Sequence, residues 1–182
     1  MVTTRLMTAE ELATLPNDGY EYELVRGELR RMPTPGWEHG RYCARIARPL
    51  FAYEDEMGLV TVVTNDTGFW LERDPDTVRG PDIAVVLNAR LPSSFHGTHQ
   101  AVPPTLAVEV TSPSDRLADI EEKIADYLRA GVSLIWYVFP ETQTIWVDGA
   151  GRKRLILAIG DVLDGSDVLP GLPPIPVADI FR

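Results

Sequence analysis

The chain has 182 residues, 45% of them hydrophobic, and a formal charge of −10 from 27 acidic and 17 basic side chains. That length suits one domain with a real core over residues 1–182 and argues against two independent ones. The acidic balance excludes a uniformly basic nucleic-acid-binding surface, no apolar run approaches the roughly 20 residues of a membrane helix, and the single cysteine, Cys43, excludes an internal disulfide or a cysteine-based zinc cluster.

The opening "MVTTRLMTAEELATLP" lacks the apolar core and small-residue cleavage site of a signal peptide, so a cytoplasmic protein is expected. Within it, Thr8 as N-cap, Glu11 in capping-box position and Pro16 as stop predict a short helix. "YEYELVRGELRRM" alternates apolar and polar residues around Gly27 and predicts two strands turning at Arg26-Gly27. "WEHGRYCARIARPLFAYEDEMG" places Tyr42, Ile46 and Leu50 at helical spacing, ends at Gly58, and carries Pro49 as a kink or a new start. Cys43 reads as a small buried residue.

Three strand candidates follow, "LVTVVTNDTGFWLE", "PDIAVVL" and "TLAVEVT", and a long loop, "NARLPSSFHGTHQAVPP", is expected to be mobile or to act as a lid. His96 and His99 in that loop form H-x-x-H, but without a third ligand nearby a solvated loop outweighs zinc. "SPSDR" should cap the next helix through Ser114 or Asp115. That helix, "LADIEEKIADYLRAGV", ends at Gly131, with Asp119, Glu121, Glu122 and Asp126 on its solvated side. "SLIWYVF" reads as a buried strand and "TIWVDGAGRKRLILAI" as a hairpin whose edge could pair with a second copy. The tryptophans and tyrosines of these last segments read as core. Strand, helix and strand in this order argue for an α/β core with a parallel crossover.

Two carboxylates interrupt apolar strands. Asp82 shares a face with Ala84 and Val86, and Glu109 with Ala107 and Thr111. If the strands pair with these faces aligned, the acids converge and need a cation between them, for which Mg²⁺ is the natural hard ion. If they do not, each acid lies solvated at a strand end, and spacing alone does not choose. Lys123 falls at the edge of its helix's apolar face, beside Tyr127, where its stem can follow the core and its ammonium can point toward the acids.

With "YELVRGEL", "WEHG", "PDIAVV", "VEVTSPSDR", "KIADYLRAGV", "IWYV", "VLPGL" and "VADIF" in this order, the chain resembles the Uma-type restriction-endonuclease family of the PD-(D/E)XK nuclease superfamily over nearly its whole length. The resemblance implies a restriction-endonuclease-like α/β core, a mixed central sheet flanked by helices, with an added N-terminal strand pair and a C-terminal hairpin. It implies hydrolysis of DNA phosphodiesters with Mg²⁺ or Mn²⁺ held by Asp82, Glu109 and the backbone carbonyl of Val110. The superfamily's strand lysine is replaced here by Thr111; in Uma-type members that role passes to the following helix, which matches Lys123, and Glu23 is the further acid of the site. His39, in "WEHG", reads as a helix-start hydrogen bond, with a phosphate contact as the alternative.

Three functions follow: an endonuclease acting on DNA, working as a homodimer or higher homo-oligomer; an inactive descendant serving as a binding or regulatory module; and a metal hydrolase for a smaller phosphodiester. Basic residues concentrate at Arg26/Arg30/Arg31, Arg41/Arg45/Arg48 and Arg152/Lys153/Arg154. Their convergence on the Asp82–Glu109 face would favour the first function, and their scatter the second.

Overall fold

The computed structural model describes residues 5–32, 34–93 and 98–182. Helix α1 (Ala9–Ala13) forms where the capping box directs it: the Thr8 side chain accepts from Glu11 N, and the Glu11 carboxylate accepts from Thr8 N. Strands β1 (Glu21–Val25) and β2 (Glu28–Met32) pair antiparallel across Arg26-Gly27, whose positive φ values of 50° and 78° are those a two-residue hairpin turn demands. Helix α2 (Trp37–Met57) runs as one element through Pro49, buries Tyr42, Ile46 and Leu50 as their spacing predicts, and stops at Gly58 in the left-handed region.

The expected strand "LVTVVTNDTGFWLE" is two strands. Asn65 and Asp66, both at positive φ, turn the chain between β3 (Val60–Thr64) and β4 (Phe69–Glu72), which belong to different sheets. A further strand, β5 (Thr77–Arg79), lies in "DPDTVRGP", a segment whose prolines and aspartates read as turn and which is too short to show periodicity. It leads into β6 (Ile83–Leu87). Of the long loop, residues 94–97, with His96, lie outside the described residues; Gln100 beyond them bridges to Phe69.

β7 (Leu106–Val110), α3 (Leu117–Arg129) and β8 (Leu134–Phe139) form the expected parallel crossover, and Gly131 at φ 87° ends the helix. β9 (Thr144–Gly149) and β10 (Leu155–Ala158) complete the hairpin. The six-stranded sheet runs β10-β9-β8-β7-β6-β3, antiparallel except for β7–β8. A four-stranded antiparallel sheet, β2-β1-β5-β4, takes in the N-terminal pair. β11 (Val162–Leu163) and β12 (Ile175–Pro176) make a two-stranded ribbon before α4 (Val177–Phe181).

Strand alternation separates two cores. Ile83, Val85, Leu106, Val108, Leu134 and Trp136 pack with α2 and α4, while Ala107, Ile135 and Tyr137 on the opposite face pack with Ile120, Ile124 and Tyr127 of α3. The result is a mixed sheet between helical layers. Small residues at Ala84 and Ala107 keep the α3 face shallow beside Asp82 and Glu109.

Leu50 is fully buried between α2 and the sheet. Leu50→Ala should destabilise the fold by about 2–5 kcal/mol, through lost burial and the cavity left behind, read from the midpoint shift in urea unfolding.

Candidate active site

The register of β6 against β7 pairs Ile83 with Val108 and Ala84 with Ala107. One step further along the antiparallel ladder, Asp82 stands across from Glu109. The aligned-face arrangement therefore holds, and the solvated strand-end alternative does not: Glu109 is buried and the Asp82 side chain is 10% exposed. Both line an open cavity of about 620 Å³ together with Glu23, Asp66, Arg79, Val110 and Lys123.

Lys123 reaches this floor from α3. Its Nζ lies 2.8 Å from Glu109 Oε1 and 2.9 Å from Glu23 Oε1, and donates at 3.4 Å to the carbonyl of Gly80. Burial opposes its charge, but Glu109 and Glu23 outweigh burial and raise the ammonium's pKa well above the usual lysine value. Glu23 also accepts from Arg79 Nη1 at 2.8 Å and from Gly80 N at 3.0 Å. Burial alone would lift its pKa, but Lys123 and Arg79 bring it below the ordinary carboxylate range. Glu109 goes the other way. Burial, with Asp82 and Glu23 nearby, outweighs Lys123 and pushes it up to about 8, and Tyr127 Oη donates to the same Oε1 at 2.6 Å.

Arg79 is the organising cation. Its guanidinium is buried, donating to Glu23 from β1 and, through Nε at 2.9 Å, to Asp126 of α3. Gly80 follows, and a Cβ there would stand 2.5 Å from the carbonyl oxygen of Asp66, so only glycine lets the two segments approach this closely. Asp82 is then fixed from two sides: Val110 N donates to Oδ2 at 2.7 Å, and His39 Nε2 lies 3.3 Å from Oδ1.

A family model named Uma2 and described as "Putative restriction endonuclease" matches residues 9–178. The chain belongs to the Uma2 family. A crystal structure from Anabaena variabilis, described as a putative nuclease belonging to DUF820, is 17% identical, covers 96% of this chain and 97% of its own, and superposes with a TM-score of 0.84. At that identity the likeness shows the fold. No curated protein matches.

In this Uma2 chain Thr111 leaves the strand position of a superfamily lysine without a cation. Its hydroxyl donates instead to the carbonyl of Val138 at 3.2 Å, while the helix-borne Lys123 contacts Glu109. The residues that the resemblance assigns to the site, Glu23, Asp82, Glu109, Val110 and Lys123, line one cavity, which His99 does not join. Other readings change. His39 is a partner of Asp82 rather than a helix-start hydrogen bond. Asp115 accepts from Ser112 N in the preceding turn, and the N-cap of α3 is Arg116, whose guanidinium caps no backbone amide and donates instead to Asp119. Asp126 is buried against Arg79, and half-buried Glu122 pairs with Arg26 and Arg30; neither belongs to a solvated face. Cys43 is half-buried, with Sγ 3.5 Å from His39 Nδ1.

The arginine clusters divide. Arg30 and Arg31 line the cavity with Arg79 and Arg116, whereas Arg45 and Arg48 line a separate proline-rich groove and Arg154 pairs with Glu121 and Asp148. Arg79 and Asp66 were invisible beforehand. The first looks like a loop arginine before Gly-Pro. Asp66 sits in an apparent Asn-Asp turn, although burial and the Asp82 charge raise its pKa to about 6.

The hydrogen bond to Asp82, with a further one to Cys43, pushes the His39 pKa up to about 11. A base whose folded pKa lies above its unfolded value stabilises the fold fully below about pH 6.5, and this contribution disappears as pH rises through the folded value. In NMR titration of the metal-free protein, the His39 ring should stay doubly protonated through pH 9, while His39→Gln should lower Tm at pH 6 by more than at pH 11. Arg79→Leu, which removes the buried cation that Glu23 and Asp126 share and leaves Glu23 with Lys123 alone, should cost about 3–5 kcal/mol in urea unfolding.

Proposed function

We propose that this protein is an endonuclease that hydrolyses DNA phosphodiester bonds with Mg²⁺ or Mn²⁺. In this reading Asp82, Glu109 and the Val110 carbonyl are the metal ligands, and Lys123 and Glu23 complete the catalytic set. The observation that carries the reading is the meeting of Asp82 and Glu109 across adjacent strands on a cavity floor, with the Lys123 ammonium 2.8 Å from Glu109. Membership of a family described as restriction endonucleases supports the reaction class.

The donor set fits a hard divalent ion. Two neighbouring carboxylates offer oxygen ligands on an open cavity, and burial leaves Glu109 short of compensating positive charge, which a divalent ion would supply. Bound there, the ion would offset charge on the transferring phosphoryl group and make water a better nucleophile.

The chain's own residues supply the rest. His39 and Val110 N hold Asp82 in one orientation. Lys123, pinned by Glu23, presents a fixed positive charge where the phosphorus gains negative charge, so little reorganisation is needed during reaction. Arg30, Arg31 and Arg116 line the same cavity and provide guanidinium groups for flanking phosphates, with the N-terminal turn of α3 adding amide donors. This inventory needs no nucleophilic side chain. The exposed β10 edge, with Leu155 and Ile156 in solvent, offers a second copy a strand to extend, and assembly as a homodimer belongs to the same proposal.

Plasmid and linear duplex cleavage with Mg²⁺ or Mn²⁺ tests the reading. Asp82→Asn and Glu109→Gln should each lose both cutting and calorimetric Mn²⁺ binding. Lys123→Met should keep binding and cut about 10²–10³-fold more slowly, the cost of removing one preorganised charge-stabilising group. Undiminished cutting by Asp82→Asn would overturn the assignment.

A further inference from the structure

Beside the carboxylate pair lies a second donor set of different chemistry. His39 and Cys43 are four residues apart on α2, and so lie one turn above one another on a single face, over Asp82. His39 Nε2 is 3.3 Å from Asp82 Oδ1, Cys43 Sγ is 3.5 Å from His39 Nδ1, and one ligand atom from each residue falls within 4.8 Å of the other two. The His39 and Asp82 side chains are only 14% and 10% exposed.

We propose that His39, Cys43 and Asp82 form a zinc-binding site that shares Asp82 with the magnesium position and, when filled, excludes the hard ion. The inference goes beyond the proposed nuclease reading, because it concerns a different ion held by different donors.

Donor chemistry separates the two ions. Imidazole nitrogen, thiolate sulfur and carboxylate oxygen together suit zinc, whereas magnesium takes oxygen ligands and has no use for His39 or Cys43. Zinc bond lengths of about 2.0–2.3 Å place neighbouring tetrahedral ligands about 3.3–3.8 Å apart. The His39–Asp82 separation already meets that spacing. The Cys43 sulfur now lies on the Nδ1 side of the ring, so joining the nitrogen that faces Asp82 takes a rotation of the Cys43 or His39 side chain. Zinc entry releases the Cys43 thiol proton and the second imidazole proton to solvent, leaving a thiolate and a neutral ring as ligands.

The surroundings hold the set in place. Val110 N occupies Oδ2 of Asp82, so Oδ1 is the oxygen presented to His39. Buried Ile46 and Leu50 anchor α2 to the sheet and fix the helix face that carries both ligands. Three protein ligands beside an open cavity leave a fourth position for water, the coordination of an accessible zinc site. Because Asp82 cannot serve both ions with the same geometry, zinc acts as a competitive brake on the hard-ion site.

The test is direct binding by the full chain, stripped of metal. Co²⁺ should give a sulfur-to-cobalt charge-transfer absorption in the wild type that zinc abolishes and that is absent in both Cys43→Ser and Cys43→Ala. By calorimetry, zinc affinity should fall at least tenfold in Cys43→Ser and in His39→Gln, and persist in Glu109→Gln. No charge-transfer band, zinc affinity unchanged in Cys43→Ser, or zinc binding lost in Glu109→Gln would each overturn the site, the last placing zinc on the carboxylate pair. None of these readouts uses cleavage. A chain that shows the band yet cuts no DNA would sink the nuclease reading alone, and one that cuts without the band would sink this one alone.

Discussion

The Glu23 carboxylate, held between Arg79 and Lys123, is the interaction on which the rest of the structure depends. It brings together four segments distant in sequence: β1 through Glu23, β5 through Arg79, α3 through Lys123 and Asp126, and β7 through Glu109. Without it Arg79 and Lys123 would each lose a buried partner, and the four-stranded sheet would be tied to α3 only by Arg79 on Asp126 and by Arg26 and Arg30 on Glu122. Burying these groups carries a large desolvation cost, and paired geometry offsets it only while each partner is present. The cluster is thus a specificity device for this one docking of the two sheets, and its cations and acids form the wall of the cavity.

The same constraint explains why a lysine borne on a helix can serve a carboxylate borne on a strand. Glu109 points to the α3 face of the sheet, and position 111, two residues on, is at the end of the β7–β8 ladder, where Thr111 donates to Val138. Lys123 stands nearly two turns into α3 and enters the same volume from the helix, its ammonium crossing to the Gly80 carbonyl. What matters to the acid is where the positive charge stands, and two backbone routes lead to that point.

Charge balance around the floor is uneven by design of the fold rather than by composition. Glu23 has two cations and ionises easily; Glu109 shares one cation with Glu23 and faces Asp82, so burial dominates. A site with one well-compensated and one under-compensated carboxylate has room for a further positive charge. The chain's acidic balance reaches this cavity too: Arg30, Arg31, Arg79, Arg116 and Lys123 line it together with Glu21, Glu23, Asp66, Asp82, Glu109, Asp115 and Asp119, and Arg30, Arg79 and Arg116 are themselves paired with acids.

Elements with a local signature were legible in the sequence: the α1 capping box, the hairpin at Arg26-Gly27, the apolar stripe of α2, the Gly131 stop of α3 and the alternation that sets Asp82 with Ala84 and Glu109 with Ala107 in their own strands. Each follows from steric and hydrogen-bonding preferences within a few residues. What depended on partners distant along the chain was not legible. β5 exists because β1 and β4 flank it, Asp126 is buried because Arg79 reaches it, and His39 belongs to Asp82 because α2 packs with its first turn over the end of β6. Side-chain type and spacing determine which face a residue takes within its own element. Only the docking of one element on another decides which charges meet, since that geometry is set by the packing of the whole core.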